Sequence, residues 1–310
     1  MSTTDPKDEY TQLTRGAGYV ELSDRCLVGM TGVDRQSFFH NFCTNDIKKL
    51  KVGEICEAFV LNTKGKILGY VHAIAGENEL LLTGHGDQAA TLVNHLEMYL
   101  IREEVELADV TPDFVSIFIH GDGASEKLNL CCDDVPAENR MTETSLCGIP
   151  VRISQIEIAG FGYFVLVEKN KSDELKQGLN RCGIVECGLD ALNVLRVENR
   201  TPWFGVDADD SNLPQELQRD PIAISFEKGC YLGQETVARI DARGRVNQVL
   251  VGFQINGSSP EKGEFTYEGK TVGRISSVVF SPQAGCYLGL GYVRRQFKEP
   301  GTEIGDLVVL

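Results

Sequence analysis

The residues from Lys228 to Arg239 bring a thiol (Cys230), an ammonium (Lys228), a Gln234-Glu235 pair and a guanidinium (Arg239) together around two glycines, Gly229 and Gly233. Thr236 to Ile240 and the residues after them read as a short helix that stops near Gly244, since a glycine past the last turn is a helix stop signal. Cys230 then sits on the loop leading into the helix N-terminus, where the helix dipole and Lys228 both favour a thiolate over a thiol. Gly229 and Gly233 leave room for a ligand or another backbone to come close. This local chemistry suits a reactive thiol, and it equally suits a small buried cysteine in an ordinary strand-turn-helix joint.

Composition narrows the classes. The 310 residues carry 45 acidic against 30 basic side chains, a net charge of −15, which argues against unspecific binding to nucleic acid or to an anionic membrane. A local basic pocket from Lys228, Arg239, Arg243 and Arg245 stays compatible with that balance. No stretch reaches the roughly 20 apolar residues that span a bilayer. The first ten residues lack an apolar core, so neither a secretory signal nor a transit peptide is expected, and the expected compartment is the cytoplasm. The ten cysteines are scattered without a CxxC pair, which points to reduced core residues and no structural metal. A monomer is the expected state.

The elements that must position the Cys230 stretch follow from periodicity. Residues 1 to about 18 read as a loose polar lead-in. Strands at Tyr19–Leu22 and Arg25–Met30 precede a helix capped by Asp34 that buries Phe38, Phe39 and Phe42. Runs at Glu57–Asn62 and Ile67–Ile74 form a hairpin around Thr63-Lys64-Gly65-Lys66, and Glu79–Thr83 adds a third strand. Asp87 caps a helix carrying Leu92, Val93 and Leu96. Strands at 104–109 and 114–120, a helix near Ser125–Cys131, strands at 151–158 and 162–167, and helices from Ser172 and over Asp190–Glu198 follow. Gly205 to Ala223 is a long irregular stretch, and a loop of that length is usually functional or wraps another domain. From Val249 short alternating strands read as a small antiparallel barrel, with a polar loop at Asn256–Lys262. The order suggests α+β lobes with helices on one face of antiparallel sheets.

Lys-Gly-Cys-Tyr-x-Gly-Gln-Glu at 228–235 resembles the signature of the YgfZ/GcvT-like family of folate-binding proteins. Gly32-x-Asp34, Thr44-Asn45-Asp46, Lys64–Leu68, Leu213-Pro214-x-Glu216, Gly244-Arg245, Val272–Ser277 and Gly289–Val293 extend the resemblance over nearly the whole chain. It implies a three-lobed ring of two α+β (ferredoxin-like) lobes and a C-terminal small antiparallel β-barrel around a central folate channel. The division is a folate-binding core at 1–245, made of two interleaved lobes splitting near 125–150, and the barrel at 246–310.

Arg196-Val197-Glu198 stands at a helix end ahead of the long loop. One reading is a solvated charge pair. The other is ligation, because a carboxylate can accept two parallel N–H bonds from a pterin edge as it does from an arginine fork. The resemblance implies that second role for Glu198, with Arg196 beside it. Trp203 could stack on a pterin or pack the core. By the same resemblance Tyr231, Gln234 and Glu235 join the ligand side, and Arg239 or Lys228 could meet the folate glutamate tail.

One departure stands out. Aminomethyltransferases of the glycine-cleavage type carry Asp-Asp directly after the Gly-x-Ile-Leu turn, and one of those carboxylates is essential. Gly69 and Tyr70 occupy those positions here. Losing a group that places reactants in line costs several kcal/mol of barrier. The resemblance therefore implies a tetrahydrofolate-binding accessory protein that supports assembly or repair of iron–sulfur enzymes, with Cys230 as its thiol. The alternatives are a folate-dependent aminomethyltransferase using another base, and a folate-independent thiol regulator.

Overall fold

The computed structural model describes residues 6–257 and 260–310. Ser258 and Ser259 of the expected polar loop, and residues 1–5 of the expected lead-in, lie outside them. Three sheets, antiparallel except for one parallel pair in the second, hold all the described strands.

The first runs Ile55–Leu61, Ile67–Ala75, Glu79–His85, Arg25–Thr31, Glu106–Asp109 in spatial order. Its hairpin turns tightly at residues 62–66 because Gly65 adopts φ +75° and the Asn62 side chain accepts the Lys64 and Lys66 N–H groups. Helices Arg35–His40 and Ala89–Glu97 cover one face, burying Phe38, Phe39, Leu92 and Leu96 against Val28, Val60 and Val71. Asp34 precedes the first helix without a side-chain cap bond; its carboxylate accepts the Glu104 N–H instead.

The second sheet is ordered Val185–Glu186, Gly18–Glu21, Phe114–His120, Phe161–Glu168, Ile149–Glu157, Met141–Leu146. Its helices are Ala124–Cys131 and Ser172–Arg181. The chain crosses between these two sheets at Val110–Asp113, ahead of the 125–150 expected, while the early strand Gly18–Glu21 pairs in parallel with Val185–Glu186. One apolar layer joins both sheets: Leu27, Ile55, Ile74 and Leu81 meet Phe118, Ile156, Phe164 and Leu166.

The third sheet, Gly263–Tyr267, Lys270–Ser281, Cys286–Arg294, Gln248–Ile255, Leu307–Val309, Glu303–Ile304, curls into a half-barrel over its own core of Val251, Phe253, Ile275 and Val293. A second cluster holds it to the first sheet through Phe59, Ile67 and Tyr70 on one side and Leu250, Leu290 and Tyr292 on the other.

The lead-in is corrected. Pro6–Thr14 is a helix whose Tyr10 and Leu13, three residues apart, are buried. The long stretch 205–223 is mostly irregular, with short helical turns at Pro214–Leu217 and Asp220–Ala223. No described helix is long and apolar enough to cross a membrane.

Candidate functional site

Cys230 is exposed, on a loop pinned from both sides. Ser225 N donates to Thr44 O at 2.9 Å, and Leu232 N to Asn41 O at 2.9 Å. Between them Lys228 is buried and gives its ammonium to the carbonyls of His40 (2.5 Å), Cys43 (2.7 Å) and Asn45 (2.8 Å). An ammonium has three protons, so none is left over. Burial pushes the Lys228 pKa down. This corrects the expected free cation: Lys228 stakes the thiol loop to the turn at residues 40–46. Tyr231 is corrected likewise. Its ring lies 4.8 Å from the Lys228 Nζ and is buried in the core shared with Phe59 and Ile67.

The helix that follows is Gln234–Arg243, flanked by Gly233 at φ +82° and Gly244 at φ +61°. Gly233 is required by close approach as well as by conformation. A Cβ there would stand 2.7 Å from Asn62 O, and one on Gly65 would stand 2.6 Å from the Thr236 Cβ. The hairpin at residues 62–66 and the signature helix therefore touch backbone to backbone. Gln234 is half-buried, whereas Glu235 and Arg239 are exposed. The expected basic pocket is divided. Arg245 lines a surface cavity with Arg294, Arg295 and Lys298, Lys228 is held in the loop contact, and the Arg243 side chain lies outside the described residues.

The Arg-x-Glu triplet separates into two roles. Arg196 is 1% exposed and fully engaged: Asp207 at 2.6 Å, Ser277 at 2.7 Å, Asn193 at 2.8 Å, and the Trp203 ring at 4.5 Å. Asp207 also accepts the hydroxyls of Ser276 and Ser277 and the N–H of Trp203. This knot ties the helix Leu189–Glu198 to the long loop and to the half-barrel, which corrects the placement of Arg196 on the ligand side. Glu198 accepts the Tyr10 hydroxyl on both oxygens (3.0 and 2.8 Å) and the Ser281 hydroxyl at 2.5 Å. A cavity of about 470 Å³ is lined by Tyr10, Arg15, Asp122 and Gln283 among others; Glu198 is not in its lining and is linked to it through the Tyr10 hydroxyl. Trp203 is buried, stacked on His85 at 4.2 Å, and donates its indole N–H to Ile158 O at 3.1 Å. In this arrangement its ring packs the core.

Sequence reasoning missed the charged cluster where the lobes meet. Arg219 bridges two carboxylates: Glu57 at 2.6 and 3.3 Å, Glu157 at 2.9 and 3.3 Å, with the Tyr70 hydroxyl at 3.0 Å. Tyr70 donates to Glu57, and Thr201 to Glu157. Burial pushes the Tyr70 phenol well up, and the Glu57 charge adds to it. Next to this clamp, Arg25 and His72 (6% and 8% exposed) each carry a buried nitrogen, Nη2 and Nε2, without a hydrogen-bond partner. Burial lowers Arg25 to about 10 and His72 to about 3, so the imidazole stays neutral. The one sequence signal for this cluster was Tyr70, noted where a carboxylate was expected; Glu57, Glu157 and Arg219 lie far apart in the chain.

A pterin does not fit this centre as it stands. The space among Arg25, His72, His85, Glu157 and Trp203 is about 20 Å³, close to what one water needs. The cavity lined by Tyr10 lies within the usual range for ligand pockets, roughly 300–1,000 Å³.

Residues 3–228 match the GCVT N-terminal domain and residues 248–305 the glycine cleavage T-protein C-terminal barrel domain. A chloroplastic protein of Arabidopsis thaliana is 26% identical over 93% of this chain and 68% of its own length. An aminomethyltransferase of Rippkaea orientalis is 24% identical over 96% of this chain and 84% of its own. Among solved structures, glycine cleavage system aminomethyltransferase T from Bartonella henselae superposes with a TM-score of 0.87 at 19% identity, covering 100% of this chain and 88% of that one. With both domain matches in chain order and the three-sheet arrangement in agreement, this chain belongs to the glycine-cleavage T-protein family.

Proposed function

We propose that this chain is a folate-binding accessory protein of the YgfZ kind, supporting the assembly or repair of iron–sulfur enzymes, with Cys230 as its functional thiol. The observation that carries the reading is the placement of Cys230: exposed, yet held on a loop fixed by Lys228 and Leu232. A thiol presented in this way can meet a partner protein or a cluster sulfur without rearrangement of the fold. Gly69 and Tyr70 support the accessory role, since the position after the hairpin turn offers no carboxylate and the Tyr70 hydroxyl is engaged by Glu57 and Arg219.

Tetrahydrofolate belongs to the reading at Glu198, whose carboxylate has about four acceptor sites and gives three contacts to Tyr10 and Ser281. The cavity of about 470 Å³ lined by Tyr10, the residue that bonds Glu198, has the volume for it. The centre does not, so no chemical step is derived through the folate.

Aminomethyl transfer is favoured by one observation, the two central carboxylates Glu57 and Glu157. Both are paired with Arg219, which opposes their use as bases. Calorimetric titration with tetrahydrofolate, lost in Glu198→Ala, tests the ligand. Cys230→Ser in a deletion strain tests the thiol: iron–sulfur enzyme activity is expected to fall to the level of the deletion. Unchanged activity removes the thiol role. Aminomethyl transfer by the purified protein replaces this reading with the enzymatic one, and no folate binding at high concentration leaves a thiol regulator.

A further inference from the structure

Three cysteines that the sequence scatters over fifty residues converge in the second lobe. Cys131 ends the helix Ala124–Cys131, Cys147 stands in the turn between Met141–Leu146 and Ile149–Glu157, and Cys182 follows the helix Ser172–Arg181. Their Sγ atoms all lie within 4.8 Å of one another, with Cys147 and Cys182 3.8 Å apart, and all three are only partly buried.

The site is shaped around Cys147. Its φ is +54°, followed by Gly148 at +82°. A two-residue hairpin turn with both residues left-handed ordinarily takes Asn or Asp with Gly, not cysteine. Cys147 N donates to Cys131 O at 2.7 Å, which fixes two of the three sulfur-bearing residues to each other. Gly178 leaves the room the third side needs: a Cβ there would stand 2.6 Å from the Cys147 Cβ and 3.1 Å from its sulfur. Cys182 N closes onto the Gly178 carbonyl at 3.1 Å.

We propose that Cys131, Cys147 and Cys182 form a three-thiolate site for a soft d¹⁰ cation, Cu(I) in a trigonal plane. Thiolates bound at about 2.3 Å to one trigonal ion stand ~4 Å apart, close to the spacing the thiols already have. Soft thiolates select Cu(I) and zinc among available metals. Zinc wants a fourth ligand, and no further Cys, His, Asp or Glu joins the group among the described residues. Each thiol releases its proton to solvent as the ion binds, so the filled site carries a charge of −2. Arg181 lies beside Cys147 and favours its anion, and Lys127 binds the Gly183 carbonyl next to Cys182. Each ligand binds as a thiolate, so the ion competes with three protons and uptake weakens as pH falls.

The test uses reduced full-length protein under argon, titrated with Cu(I) against a chromogenic chelator. One equivalent is expected, and Cys131→Ser, Cys147→Ser and Cys182→Ser should each weaken it by on the order of 100-fold, with Cys286→Ala unchanged. X-ray absorption at the copper edge, read on wild type so that no variant need fold, should show three sulfur ligands. The proposal is overturned by copper retained in the triple serine variant, by a two-coordinate spectrum, by zinc displacing Cu(I), or by a Cys147–Cys182 disulfide found by mass in protein isolated under argon.

Discussion

Arg219→Met should cost the fold about 4 kcal/mol at pH 8. The guanidinium makes five contacts to Glu57, Glu157 and Tyr70, and its nearest carboxylate, Glu57, is 8% exposed. Removing one partner of a buried ion pair costs roughly 3–5 kcal/mol, because the charge left behind has lost both its partner and its water. Here one cation serves two carboxylates, and Glu157 is the less buried of them, which places the loss near the middle of that range. Urea unfolding followed by the fluorescence of Trp203, the single tryptophan of the chain, reads this directly, since its ring packs on His85 where the lobes meet. A loss below about 1 kcal/mol would refute the view that this clamp holds the lobes together.

Two other expectations are independent of that clamp. Lys228→Met removes three charge-assisted bonds to carbonyls and should speed hydrogen exchange at Ser225 and Leu232, whose N–H groups bond the same turn; unchanged protection there would mean the loop is held by other contacts. His72 and His85 are lowered by burial to about 3 and about 4, below the unfolded value near 6.5. Between pH 6.5 and 4 the unfolded chain therefore binds protons that the native one refuses, and stability falls with falling pH. His72→Gln should flatten the dependence by about 1.4 kcal/mol per pH unit in that window, checked by urea midpoints at pH 4.5, 5.5 and 6.5.

The elements legible in the sequence were those whose signal is local. Gly244 marks the end of the signature helix, and Gly65 marks the hairpin turn, because each needs a backbone conformation that few other residues tolerate. Helix Pro6–Thr14 was passed over because its buried face is only Tyr10 and Leu13 in a polar run. The clamp was illegible for another reason. Glu57 and Arg219 are 162 residues apart, and a charged side chain reads as solvated until tertiary structure removes its water. Lys228 and Arg196 misled in the same way: both looked like free cations near a ligand, and both are spent on holding loops. The three-thiol cluster left no trace at all, since no spacing rule joins residues 131, 147 and 182.

The parallel pairing of Gly18–Glu21 with Val185–Glu186 has a bearing on biogenesis. The sheet drawn from residues 25–109 is contiguous and can close while the ribosome is still making the remainder. The strand that precedes it in the chain must wait, one edge unpaired, until residue 186 has left the exit tunnel. Through that interval an open sheet edge is exposed to mispairing.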